Sequence, residues 1–361
     1  MEKKIFHKFD MKPVIDSMTK EAETLLSRYN KMREEFDLEP SKPQLAIISI
    51  GNDMASKVYV NNKVKKCAEL GVEAKVYSFS DATYLQRQLE THSNTDYENK
   101  EDLVTKYAGH MMYEDITETL ASMDLNLVPT IVQLPIDSNL LTPENKKRIE
   151  SMVLNIIDVD CFHPINIGKL INKNPYIMPC TVYGVMKTIE QYNNGSLDLR
   201  KKKVCVIGRS PIVGFPLIMQ LIAHNAKVTH INSTHNREDL FDAISNADII
   251  VSAVGKYGVI TDRDVCNTAL FHNKKVLVID VGINRDADGK LVGDFRRDNE
   301  EVIENYHVDK NIDTEVWYTP VPGGVGKLTV LGVVINTLKL EIQRLEYKYG
   351  DKKLKNLDTL D

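Results

Sequence analysis

The chain has 361 residues, with 46 Lys and Arg against 51 Asp and Glu, a formal net charge of −5, and 42% hydrophobic residues. That is the make-up of a globular protein long enough for two domains, and its interspersed charges give no basic footprint for nucleic acid. No apolar stretch reaches the roughly 18 residues of a membrane span and the opening residues are too weakly apolar for a signal peptide, so the expected location is the cytoplasm, with neither nucleic acid nor membrane as partner.

In chain order, residues 12–37 are rich in Met, Glu, Leu and Lys at helical spacing, and residues 44–50 (QLAIISI) read as a buried strand. A second helix is expected over 54–70, closed by Gly71, followed by a strand over 75–79. Residues 91–124 are polar and helical in flavour and precede an apolar strand at 128–134. Such alternation builds a parallel α/β layer. The second half repeats it, with strands expected at 204–207, 227–231, 249–254 and 276–281 in a Rossmann-type arrangement. A Gly/Pro-rich loop, YTPVPGGVG at 318–326, leads into an apolar helix over about 328–347, and the charged tail GDKKLKNLDTLD is expected to fray. Cys67, Cys161, Cys180, Cys205 and Cys266 are scattered, without CxxC pairs, which reads as reduced and mostly buried thiols; no metal site is expected.

The segment VCVIGRSPIVGFP (204–216) has the form of a phosphate-binding βα turn. An apolar strand breaks at Gly208, passes Arg209 and Ser210, and a helix restarts at Gly214. Small residues let backbone approach a pyrophosphate, and a helix N-terminus presents N–H groups to it. The spacing is Gly-x-Ser-x-x-x-Gly rather than the usual Gly-x-Gly-x-x-Gly. The next strand ends on Asn232, Ser233, Thr234 and His235, without the carboxylate that holds ribose hydroxyls in NAD sites. A carboxylate would repel a ribose phosphate, whereas Ser233 and Thr234 offer donors and Arg209 offers charge. NADP is therefore the expected cofactor; the plainer reading leaves Arg209 a solvated loop residue.

Ser56, Tyr59 and Lys63 fall at i, i+3 and i+7 of the helix expected over 54–70, so they share one face. Lys63 also lies beside the stripe of Val60, Val64 and Cys67, which half-desolvates its ammonium and suits it to proton transfer; the plainer reading is a snorkelling surface lysine. Gln133 interrupts the apolar strand TIVQLP, where an amide needs partners, either a lysine amine or ordinary strand-end groups. Asp158 and Asp160 stand two apart in IDVDCFHPINIGKL. A carboxylate such as Asp160 could grip an amidine-like heterocycle edge through two parallel hydrogen bonds, or serve an Asx turn or helix cap.

Taken together, these segments resemble the bifunctional methylenetetrahydrofolate dehydrogenase/methenyltetrahydrofolate cyclohydrolase (FolD) family over most of the chain. The carriers are SKVYVNNK, VQLPI, DVDCFHPINIGKL, PCTVYG, GRSPIVGFP, VIDVGIN, the dipeptide GD at 293–294 and TPVPGGVGKLT, all in the family's order. The resemblance implies two α/β domains flanking a cleft. A folate-binding domain (1–180) is completed by the last helix (325–361), and the Rossmann-type NADP-binding domain spans 181–324. It further implies that Lys63 is the catalytic lysine, with Gln133 as its hydrogen-bonded tuner and Tyr59 packed on the pterin. Asp160 anchors the pterin ring, and Ser56, Pro322, Gly323 and Gly326 border the folate. Gly208, Arg209, Ser210, Gly214, Ser233 and Ile283 make up the cofactor set. A homodimer paired through the Rossmann domain, and a supply of formyl groups to purine biosynthesis, follow from the same resemblance.

The chain departs from the family pattern at Ile157, Cys161, Val182, Asn232 and Lys327, where Lys, Gly, Pro, His and Pro are usual. Residues 91–124 are longer than in typical members and read as a surface insertion. Two other readings stay open at this level: a dehydrogenase with weak or absent cyclohydrolase, and a catalytically silent folate- or nucleotide-binding homologue.

Overall fold

The computed structural model describes residues 5–51, 53–91, 100–173, 175–297 and 314–357. Along the chain, β1 (Phe6–Lys8) and α1 (Lys12–Glu35) are followed by β2 (Gln44–Ile50), α2 (Met54–Glu69), β3 (Glu73–Phe79), α3 (Asp81–Thr91), α4 (Lys100–Asn126) and β4 (Thr130–Val132). Helices α5 (Pro143–Glu150), α6 (Pro164–Ile171) and α7 (Cys180–Tyr192) lead to β5 (Lys203–Ile207), α8 (Gly214–Ala223), β6 (Lys227–Ile231), α9 (Arg237–Asn246) and β7 (Ile249–Ser252). After β8 (Ile260–Thr261), α10 (Asp262–His272) and β9 (Lys275–Asp280) come the short β10 (Asn284–Arg285), β11 (Leu291–Val292) and β12 (Phe295–Arg296), then β13 (Glu315–Tyr318) and α11 (Val325–Leu357). Among the described residues no helix is long and apolar enough to cross a membrane.

The chain divides into two compact units, Met1–Thr19 with Ile167–Gly332 and Lys20–Asn166 with Val333–Asp361. This contact division falls at residue 167, not at the expected 180, and moves the first 19 residues to the Rossmann-type unit. The first residues go with the Rossmann-type unit because β1 pairs in parallel with β13, Phe6 opposite Val316. Residues 167–179 go with it as well: Met178 packs against the core that Val182, Val185, Met186 and Ile189 of α7 share with Val204, Val206 and Leu277.

In the Rossmann-type unit six strands lie in the order β1-β13-β9-β7-β5-β6, all parallel. Both faces are covered, so β5, β7 and β9 are apolar runs rich in Val and Ile, and β7 is buried at all four residues. Alternate residues feed opposite cores: Val251 and Leu277 on one face, Ile250 and Val278 on the other. From β5 the chain moves outward to β6 and then returns to the other side of β5 as β7. That reversal opens a crevice at the carboxyl ends of β5 and β7, the position where open α/β sheets bind ligands.

The second unit carries a three-stranded parallel sheet, β3-β2-β4. A parallel bridge from Thr130 to Asp158 lays the DVD segment alongside β4, and the buried Asn336 of α11 donates its amide to the Val159 carbonyl oxygen at 2.8 Å. Helix α4 is part of this core and not a surface insertion: Val104, Ala108, Met112, Ile116 and Leu120 are buried at four-residue spacing. Residues 92–99 of the segment lie outside the described residues. The expected strand at 128–134 narrows to Thr130–Val132, and α11 continues past Tyr347 to Leu357, so backbone expected to fray is helical. Residues 358–361 of that tail lie outside the described residues.

Candidate active site

Helix α2 begins where the Asp53 carboxylate accepts the Ser56 N–H at 2.6 Å, and it ends in a Schellman motif. Gly71 takes φ +75°, the Val72 N–H reaches the Cys67 carbonyl at 2.8 Å, and the Gly71 N–H reaches that of Ala68 at 3.3 Å. Between these ends Ser56 and Tyr59 are half-buried and Lys63 is only 6% exposed. A lysine this buried needs an acceptor. It has one: Lys63 Nζ donates to Gln133 Oε1 at 2.9 Å. Gln133 is fixed in turn, its backbone N–H bonded to the Ile48 carbonyl at 2.9 Å and its Nε2 donating to the Leu134 carbonyl at 2.7 Å. Every polar group of that amide faces a defined partner, so the oxygen is aimed at Lys63.

The two aspartates of the DVD segment have different surroundings. Asp158, 5% exposed, accepts the His163 N–H at 2.8 Å and the Asn166 side-chain amide at 2.9 Å, and so shapes the turn into α6. Asp160 sits two residues on, and its carboxyl makes no hydrogen bond to a described residue. Burial pushes the Asp160 carboxyl above its usual range, the Lys63 charge opposes this and Asp158 adds to it. Burial likewise raises the Tyr59 phenol. Lys63 is thus bonded to Gln133, and its charge acts on Asp160, an uncommitted carboxylate. Cys161, next to Asp160, is fully buried at φ +62°, a left-handed conformation that favours glycine. Of the other departures, Ile157 and Val182 are buried and Lys327 is exposed.

The Rossmann-type unit holds a cavity of about 510 Å³ at the carboxyl ends of β5, β6 and β7. Gly208, Arg209, Ser210 and Ser233 line it, with Val254 and Lys256. Gly208 has φ +120°, and a Cβ there would run into the Ala253 carbonyl; one at Gly214 would run into the Gly208 carbonyl. The backbone of the turn can pack this closely only with glycine at both places. Arg209 and Ser233 are exposed, and Arg209 has no ion-pair partner among the described residues. Ser210 Oγ accepts the N–H of Val213 at 3.1 Å and of Gly214 at 3.4 Å, so it caps α8. The Thr234 hydroxyl donates to Asn232 Oδ1 at 2.7 Å, which leaves Ser233 as the free hydroxyl at this edge. These donors and cations, with no carboxylate on the β6 edge, fit a dinucleotide with a phosphorylated ribose.

Of the other sequence-predicted residues, Gly214 and Ile283 are outside the cavity lining, Ile283 being 43% exposed. Pro322, Gly323 and Gly326 belong to the Rossmann-type unit, in the loop before α11 and its first turn, with Gly323 at φ +103°. Sequence reasoning missed Asn336, Lys256 and the carboxylates Asp280 and Asp294. Only GD at 293–294 and the Asp of VIDVGIN carried a signal for the last two.

A parallel sheet with a glycine-walled crevice at its switch point defines a dinucleotide-binding α/β protein, and the buried lysine of the second unit adds a separate chemical centre. Residues 10–106 match the tetrahydrofolate dehydrogenase/cyclohydrolase catalytic domain, and residues 179–345 match the NAD(P)-binding domain of the same family. A bifunctional protein FolD of Acetivibrio thermocellus is 34% identical over 316 residues, 86% of this chain and 92% of that protein. One of Dechloromonas aromatica is 37% identical over 324 residues, 88% of this chain and 93% of that protein. The crystal structure of the Campylobacter jejuni bifunctional enzyme FolD superposes with a TM-score of 0.68 at 26% identity, covering 94% of this chain and 99% of the other. The chain belongs to the tetrahydrofolate dehydrogenase/cyclohydrolase family. Its activity is accordingly that of a methylenetetrahydrofolate dehydrogenase and methenyltetrahydrofolate cyclohydrolase with an NAD(P)-binding domain.

Proposed function

We propose that the chain oxidises methylenetetrahydrofolate with NADP and hydrolyses the methenyl product to formyltetrahydrofolate, with Lys63 moving the protons of the second step. The observation that carries this reading is the 2.9 Å bond from buried Lys63 Nζ to Gln133 Oε1. The dinucleotide supplies a hydride acceptor. A ring nitrogen's lone pair helps expel that hydride from the substrate, so the first step needs positioning more than an acid or base.

Hydrolysis differs. Water forms a C–O bond at the methenyl carbon and releases a proton; the adduct then breaks a C–N bond, and the departing ring nitrogen takes a proton. An amine with one N–H held by Gln133 keeps its remaining hydrogens for that traffic. Asp160 grips the amidine-like edge of the pterin through two parallel hydrogen bonds, Tyr59 packs on its ring, and Ser56 lies on the same helix face. Pro322, Gly323 and Gly326 border the folate from their loop. Gly208, Ser210 and Gly214 let the pyrophosphate approach, Arg209 and Ser233 hold the ribose phosphate, and Ile283 completes the cofactor set. The same reading makes the protein a cytoplasmic homodimer, paired through its Rossmann-type unit, that feeds formyl groups to purine biosynthesis.

The strained Cys161 next to Asp160 favours one second reading, a dehydrogenase with weakened hydrolysis. A single assay separates the two: methylenetetrahydrofolate oxidation with NAD or NADP, followed by decay of the methenyl absorbance. The proposal expects faster turnover with NADP and decay of the methenyl signal. An NAD preference overturns the cofactor assignment, and a methenyl signal that persists supports the second reading.

A further inference from the structure

Behind the dinucleotide cavity lie two carboxylates that the reading above does not use. Asp294 is completely buried. Its Oδ2 accepts the Ser252 hydroxyl at 2.9 Å and the N–H groups of Val254 at 2.8 Å and Gly255 at 3.3 Å. Its Oδ1 accepts the Lys256 N–H at 2.8 Å and the Asn284 amide at 3.0 Å. Three consecutive backbone donors of one turn therefore converge on one side chain, and two of the three residues, Val254 and Lys256, line the cavity.

Asp280, 4% exposed, holds Asp294 in place. It accepts the N–H groups of Gly282 at 3.0 Å, Asp294 at 2.9 Å and Phe295 at 2.8 Å, and its own N–H donates to Thr319 Oγ1 at 2.8 Å. The approach is so close that a Cβ at Gly282 would overlap the Asp294 carboxyl, and one at Gly293 would overlap that of Asp280. Among the described residues neither carboxylate has a cationic partner; backbone donors carry the compensation. An amide in place of Asp294 would turn an NH2 toward donors on one side, so the turn needs a carboxylate with both oxygens accepting.

We propose that Asp294 is a positioning residue of the dinucleotide site, which holds the turn 254–256 as one wall of the cavity and presents the Lys256 ammonium to a phosphate of the dinucleotide. The inference rests on the dinucleotide reading of that cavity. Asp294 is sealed away from the ligand and acts through the turn. Lys256 is exposed at the cavity and makes no ion pair among the described residues, so its charge is available to an anion.

The test uses the full-length protein and compares Asp294→Asn and Lys256→Ala with the wild type in both half-reactions. First, calorimetric titration of the wild type with NADP and NAD checks the cavity: no binding of either removes the dinucleotide reading itself. Given binding, each variant is expected to raise the KM for NADP about tenfold, while direct hydrolysis of methenyltetrahydrofolate, which uses no dinucleotide, stays within about twofold. A purely structural role would lower both activities together or leave the KM for NADP unchanged, and either result overturns the proposal. If Asp294→Asn does not fold, Ser252→Ala removes one donor to Asp294 away from the cavity lining and is expected to raise the KM for NADP about threefold with the same split. No change in that KM then counts against the proposal.

Discussion

Lys63 is 6% exposed and keeps one hydrogen on Gln133, whereas Arg209, Ser233 and Lys256 stand exposed around the dinucleotide cavity with the supporting carboxylates sealed behind them. The contrast follows from what each region handles. A group that gives and takes protons must be desolvated and aimed, because its usefulness depends on how strongly the surroundings hold its charge. A site for a multiply charged ligand works from solvent-facing cations and open backbone donors, and it keeps the buried order one layer back. On the proposed reading, the proton chemistry is built inside one unit and the dinucleotide is recognised on the rim of the other.

Three substitutions probe this contrast. The largest effect is expected from Lys63→Met, which removes the proposed proton carrier: hydrolysis of methenyltetrahydrofolate falls by about 10²–10⁴-fold. Oxidation of methylenetetrahydrofolate with NADP, followed in the same preparation, falls far less. Equal loss of both would make Lys63 a structural or binding residue.

Next comes Asp280, whose carboxyl is pushed up from 3.8 to about 6 by burial, with the neighbouring Asp294 charge adding to the shift while backbone donors oppose it. Between about pH 4 and pH 6 the native state keeps a proton that the unfolded chain releases, so stability present below pH 4 is lost as pH rises through 6. The shift corresponds to about 3 kcal/mol in all. Denaturant unfolding at pH 4 and pH 7 should therefore show the wild type losing about that much relative to Asp280→Asn. A constant difference between the two proteins at both pH values would show that Asp280 does not couple to folding.

The smallest effect belongs to the rim. Arg209→Ala is expected to raise the KM for NADP about tenfold and to change that for NAD by less than about twofold, since only the former carries the extra phosphate. A parallel rise for both dinucleotides would move Arg209 from the ribose phosphate to the pyrophosphate.

Much of this was within reach of the sequence, for reasons visible at single residues. Lys63 is legible because Ser56 and Tyr59 share its face at helical spacing, and Gln133 because it breaks an apolar strand. The Gly208 turn is legible because a strand, two small residues and a helix start fall within a dozen positions. Strand β1 is not: three residues without alternation become a strand only because β13, some 300 positions away, offers an edge. Asp294 hides for a similar reason, since its partners are backbone N–H groups of 254–256 that no residue type announces. The role of α4 is obscured by the charges between its buried positions, and its Val104-to-Leu120 stripe shows only against the core it meets. That Asp158 takes the turn's hydrogen bonds and Asp160 does not also waits for three dimensions, because either position permits an Asx turn.

If Lys63 and Gln133 act as one proton-handling pair, a double-mutant cycle on methenyltetrahydrofolate hydrolysis will show the coupling. Gln133→Ala in the wild type should slow hydrolysis by roughly 10–100-fold, the worth of a hydrogen bond to a charged group. In the Lys63→Met background, the same change should leave the residual rate unaltered, because its partner is already gone. Equal losses in the two backgrounds would mean that Gln133 acts independently of Lys63 and would contradict the account.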